Sequence, residues 1–110
     1  MSNIGSLSYL TELPRWKRVN LRNDIGKFTD DPVPEGVARW NQTWDPPMVN
    51  SRVEINLNGW NHASGTVVGY RTDGGWLMIA VRPDTRPAWH TKEMPNRTVC
   101  LFAGIELTRM

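Results

Sequence analysis

Cysteine is almost missing from this chain. The single thiol, Cys100, excludes an internal disulfide framework and any zinc site built from several cysteines. Long hydrophobic runs are missing as well. No stretch approaches the roughly 18 to 20 apolar residues that cross a bilayer as a helix, so a membrane partner is not expected. The N-terminus, Met1-Ser2-Asn3-Ile4-Gly5-Ser6-Leu7, has neither the basic start nor the apolar core of a secretory signal, and a cytoplasmic protein is expected. A strong charge of one sign is also absent, with 13 basic and 11 acidic side chains giving a net +2. Residues 1–50 are neutral, with six basic and six acidic side chains; residues 51–110 carry seven and five, and so hold the whole excess. A dedicated nucleic-acid binder usually shows a denser basic stripe.

Two residue types are abundant. Ten of the basic side chains are Arg and three are Lys. Arg offers a planar fork of donors suited to carboxylates, phosphates and aromatic faces. There are also six tryptophans, Trp16, Trp40, Trp44, Trp60, Trp76 and Trp89. Each is large enough to serve either a small core or a binding hot spot. With 110 residues, the chain has material for one domain.

Punctuation divides the chain near residue 50. Residues 1–50 read as irregular, interrupted by Pro14, Pro32, Pro34, Pro46 and Pro47. Ser8–Leu13 allows a short turn and Arg15–Leu21 a short strand. Val37, Trp40 and Trp44 share a helical spacing that predicts a turn of helix.

Residues 51–110 carry clearer signals. Arg52–Leu57 alternates as a half-buried strand, with Val53, Ile55 and Leu57 on one face. Gly65–Tyr70 is β-branched and predicts a second strand, and Trp76–Val81 a third. Asp73-Gly74-Gly75 between them predicts a tight hairpin, because primed turns need positive φ. Asn58–Ser64 is a polar loop and Arg82–Asn96 a long connection. Val99–Phe102 predicts a fourth strand, Ala103-Gly104-Ile105 a tight turn, and Glu106-Leu107 a closing strand.

The expectation is therefore a mainly β protein, a small barrel of about five antiparallel strands over residues 51–110. Both faces of Trp76–Val81 are apolar, whereas a barrel interior covers one. The N-terminal segment, with Trp16, Phe28, Trp40 and Trp44, is expected to cover the other as an irregular, proline-rich wrap. Over residues 51–108 the strand pattern, with its glycine-flanked Gly65-Thr66-Val67-Val68-Gly69-Tyr70, resembles an SH3-like barrel. It is similar to KOW-type modules and to the type II dihydrofolate reductases. Those reductases line their pore with a Val-Gln-Ile-Tyr segment. The matching Val99-Cys100-Leu101-Phe102 lacks both the amide and the phenol, so folate and nicotinamide chemistry does not carry over.

Catalytic signals are sparse. The candidate metal ligands His62, His90 and Cys100 lie at least ten residues apart, wider than the usual zinc spacings. Cys100 sits in an apolar run, where a thiol is inert. Ser64-Gly65 is no nucleophile elbow, and no glycine-rich phosphate loop opens a helix. No catalytic residue, metal or cofactor is expected. The strongest constellation is the stretch Val81–Lys92, in which Arg82, Arg86, His90 and Lys92 surround Trp89. The resemblance to SH3-like barrels implies that this stretch borders a binding groove whose opposite wall is the Asn58–Asn61 loop with Trp60.

Trp60, Arg82, Arg86, Trp89, His90 and Lys92 are the expected partner-binding residues, and a protein is the expected partner. KOW-like nucleic-acid binding is the first alternative and a structural assembly role the second, with a homo-oligomer left open. Small binding proteins of this kind are common among phage and mobile-element accessory factors, which is an association only.

Overall fold

The structure is a computed structural model that describes residues 9–12, 20–25 and 31–110. Trp16, Phe28 and most of the expected Arg15–Leu21 strand lie outside the described residues, as do both ends of the Ser8–Leu13 turn. The elements are β1 (Asn20–Asn23), β2 (Val37–Trp40), β3 (Arg52–Ile55), β4 (Ser64–Asp73), β5 (Trp76–Pro83), α1 (Ala88–Glu93), β6 (Cys100–Ala103), a 3₁₀ turn (Gly104–Glu106) and β7 (Leu107–Arg109). The fold is mainly β.

The alternation at residues 52–57 does what it predicts. Val53 and Ile55 are buried, while Arg52 is exposed and Glu54 half-buried. The pairing ends at Ile55, two residues earlier than the pattern suggests. β4 and β5 form the long hairpin, and Gly74 and Gly75 at its tip have φ of 58° and 85°, the left-handed pair that a primed turn requires. β6 runs antiparallel to β5, the 3₁₀ turn reverses the chain, and β7 returns to pair with β3. These strands belong to one seven-stranded sheet of order β1-β2-β5-β4-β3-β7, with β6 on β5, and it curls into a half-barrel.

A bulge in β4 controls what enters the core. Val67 pairs with Val81, but Gly69 pairs with Ala80, so Val68 is the extra residue. The slip changes the facing of everything after it. Val67 before the bulge and Tyr70 after it therefore both point inward. They join Val53, Ile55, Leu77, Ile79, Val81, Phe102 and Leu107 in one buried cluster. Each fully buried side chain of this size contributes about 1.5–3 kcal/mol.

Residues from the N-terminal half meet β4 and the start of β5. Gly69 has no side chain where Tyr9 lies, and a Cβ there would overlap the Tyr9 ring. Leu10 bridges Tyr70 through paired backbone hydrogen bonds of 2.7 Å in each direction. At the start of β5, Arg39 lies over the Trp76 ring, 5.6 Å from its centroid. Trp40 reaches the core cluster itself and meets Trp44 edge-on at 5.5 Å.

Two sequence expectations need correction. Val37–Trp40 is a strand and not a helical turn: β2 runs parallel to β1 and meets β5 at Arg39–Trp76. Ala38, Arg39 and Trp40 are all buried, so both faces of the strand are covered and no alternation marks it. Second, the connection from Arg82 to Asn96 contains α1. Six residues with a single large apolar side chain, Trp89, are too few to show a period.

Candidate functional site

The α1 segment closes one mouth of the half-barrel. Pro87 precedes its first residue, where a missing N–H costs nothing. The helix is held by hydrogen bonds from Thr91 N–H to the Pro87 carbonyl (3.0 Å) and from Met94 N–H to the His90 carbonyl (2.8 Å). Arg86 ties its two ends together. Its Nη1 donates to the carbonyls of Met94 (2.8 Å) and Arg97 (2.7 Å), and its Nη2 donates to Pro95 (3.1 Å).

Beneath α1 sits a column of rings. His90 is 3% exposed and lies 5.0 Å from the Trp60 ring, which meets Phe102 edge-on at 5.2 Å. His90 Nε2 is 3.4 Å from the Cys100 Sγ, and His90 Nδ1 is 3.4 Å from Arg86 Nη1. Both Nη1 hydrogens of Arg86 go to the Met94 and Arg97 carbonyls, so the guanidinium faces Nδ1 as a fixed positive charge. Burial, then the charges of Arg86 and Arg97, push the imidazole below its ordinary pKa, with Glu93 acting in opposition. Burial pushes the Cys100 thiol up. A Cys–His nucleophile needs a thiolate. Burial works against the thiolate here, and the contact joins α1 to β6.

Trp89 is the exposed member of the group. Its indole N–H donates to the Gly59 carbonyl at 3.2 Å, and its ring stands edge-on to Trp60 at 6.1 Å. It is fixed on two sides yet remains 45% exposed. Lys92, three residues on, is exposed on the same short helix.

The structure thus divides the six expected binding residues. Trp89 and Lys92 are presented together. Trp60 and His90 are buried below them as supports, and three carbonyls take up Arg86. Arg82 lies elsewhere: it is opposite Thr66 on β4, which is opposite Arg52 on β3, so it stands in a row on the outer face of the sheet. Arg52 in that row pairs with Asp84, Nη1 to Oδ1 at 2.9 Å. Their hydrogen bond is the main cause that holds the Asp84 carboxyl below, and the Arg52 guanidinium above, its ordinary value. Of the metal-ligand candidates, His90 and Cys100 converge, whereas His62 faces solvent and pairs with Glu54 at 2.9 Å. Among the described residues, no three His, Cys, Asp or Glu side chains gather to hold a metal.

Two further residues belong to the exposed surface. Just beyond the β3–β7 pairing, Asn56 N–H donates to the Glu106 carbonyl at 2.7 Å, which brings the residues after β3 to the 3₁₀ turn that holds Ile105. Leu57 is 37% exposed and Ile105 54%. Leu57 stands two residues before Gly59, whose carbonyl holds Trp89, so Leu57 and Trp89 are joined through one short loop segment. The alternation over residues 52–57 predicts a buried Leu57, but it runs on beyond the point where pairing stops.

A second feature is a depression of about 460 Å³ beside the hairpin tip, lined by Asp31, Pro32, Val33, Arg39, Gly74, Gly75 and Trp76. Its floor is structural. Arg39 Nε lies 3.0 Å from Asp24 Oδ2, both groups are buried, and Arg39 Nη2 donates to the Asp31 carbonyl. Among the described residues no helix is long and apolar enough to cross a membrane. No protein-family model, no curated protein and no solved structure matches the chain.

Proposed function

We propose that the chain is a non-enzymatic, cytoplasmic binding module of SH3-like form that seats the exposed apolar residues Trp89 and Leu57 on a protein partner. The connectivity supports the SH3-like reading: β3 to β6 form a meander, a 3₁₀ turn follows, and β7 returns to β3. The observation that carries the functional reading is Trp89. A tryptophan held by a backbone hydrogen bond and a ring contact, yet left half in water, gives up hydrophobic stabilisation that inward packing would supply. A fixed aromatic also loses little entropy when a partner covers it.

The charge arrangement favours protein over nucleic acid. A phosphate track needs several free cations along one surface. Here Arg86 is occupied by carbonyls, Arg52 and Asp84 pair with each other, and Arg82 and Lys92 stand on different faces.

The test is capture from an extract of the source organism on immobilised protein, with and without nuclease. The reading expects a protein held through nuclease treatment and about 0.5 M salt, and released by Trp89→Ala. Loss of every partner after nuclease would move the reading to the KOW-like alternative. Capture of further copies of the chain alone would move it to an assembly role.

A further inference from the structure

His90 is the buried ionisable group of α1 and has a fixed cation, not an acid, beside its ring. The Arg86 guanidinium stands 3.4 Å from Nδ1, with both Nη1 hydrogens already given to the Met94 and Arg97 carbonyls, and the Cys100 sulfur lies 3.4 Å from Nε2. The charged or titratable groups that bear on it are Arg86 before α1, Glu93 within it, Arg97 after it, and Cys100 on β6; the 58–61 loop brings only the Trp60 ring. Two cations thus oppose one acid. The element that must yield is small. Six residues do not hold a helix on their own in water, and α1 is fastened chiefly by Arg86, the His90 contacts and the Trp89–Gly59 hydrogen bond.

We propose that His90 is an acid-release latch: its protonation places a second positive charge in a buried site 3.4 Å from the Arg86 guanidinium, frees α1 from the barrel mouth, and so withdraws the Trp89 surface. Control over binding rests on the reading given under Proposed function; the release of α1 does not. The sign follows from linkage. An opened cap lets the imidazole titrate near its ordinary value of about 6.5, while the closed cap holds it lower by burial and by Arg86 and Arg97. The closed state is therefore fully favoured above about pH 6.5 and loses ground as pH falls toward the depressed value.

Cys100 lies directly under His90 and is the chain's only thiol, so it reports the opening. Its rate of reaction with an acid-active aromatic disulfide such as dithiodipyridine is measured in the native chain and in the urea-unfolded chain at each pH. The ratio cancels the thiol's own pH dependence. Protection is expected to fall by about threefold or more between about pH 7.5 and about pH 5. His62→Gln should keep that fall and His90→Gln should abolish it. Protection that stays flat in the wild-type chain, or the same fall in His90→Gln, overturns the latch. Should His90→Gln not fold, NMR titration of the wild-type chain decides. The chain has two histidines, so the His90 signal is the one that remains in His62→Gln. Titration of His90 below the histidines of the urea-unfolded chain supports the latch, and titration of His90 with them or above overturns it. No partner enters these measurements, so their failure leaves the binding reading standing, and loss of capture with the pH response intact counts against binding alone.

Discussion

Tyr70 shows how much a single inserted residue can decide. The extra residue at Val68 turns Tyr70 inward, where its hydroxyl donates to the buried Pro47 carbonyl at 2.6 Å. That bond ties the Asp45-Pro46-Pro47 loop to the barrel. Tyr70→Phe keeps the ring and removes the donor, so a loss of about 1–2 kcal/mol is expected in urea denaturation. Burial also raises the phenol pKa. The contribution of Tyr70 is therefore complete below about pH 10, where the unfolded phenol starts to ionise, and declines above it as pH rises toward the raised folded value. The gap between wild type and Tyr70→Phe should narrow in that alkaline range; a gap independent of pH would mean that the hydroxyl is not buried as described.

At the scale of elements, the buried pair Asp24–Arg39 joins the β1–β2 unit to β5. Arg39 reaches Asp24 with its side chain, covers Trp76, and donates its backbone N–H to Gly75 at 2.7 Å. Arg39→Met leaves Asp24 buried with only the more exposed Arg22, 3.2 Å away, so a destabilisation of about 3 kcal/mol is expected. Asp24→Asn combined with Arg39→Met should recover part of it. Equal melting of the single and double variants would show that the pair is not coupled.

The elements also show what the sequence made legible. Those that face water on one side announced themselves: β3 by alternation, and the β4–β5 hairpin by Asp73-Gly74-Gly75. Both misread elements lack such a contrast. β2 is covered on both faces, and its Trp40 and Trp44 repeat a helical spacing by coincidence. α1 is one and a half turns whose stability comes from Arg86 and His90, through contacts that only the fold brings together. The candidate site was legible in its residue types and not in their division. Nothing in the order Arg82, Arg86, Trp89, His90 shows that β5 turns Arg82 outward while α1 turns His90 inward.

At the scale of the whole molecule, residues of the N-terminal half pack on the strands that follow residue 51. Trp40 lies in the core cluster, Tyr9 covers Gly69, and Leu10 pairs with the part of β4 that extends beyond β3. A barrel of about 60 residues buries only about 60% of its unfolded surface. Removing residues 1–48 should therefore yield a fragment that associates or melts well below the full chain. A soluble, monomeric fragment of equal stability would show that the N-terminal half serves something other than the barrel.

The central claim is that the apolar surface at the α1 mouth does the recognising and the outer row of arginines does not. The direct measurement is the dissociation constant of the captured partner for three chains at pH 7.5: wild type, Trp89→Ala and Arg82→Ala. The account predicts a loss of about tenfold or more for Trp89→Ala and less than about twofold for Arg82→Ala, with both variants folded. Equal affinity for Trp89→Ala, or the larger loss at Arg82, would contradict it.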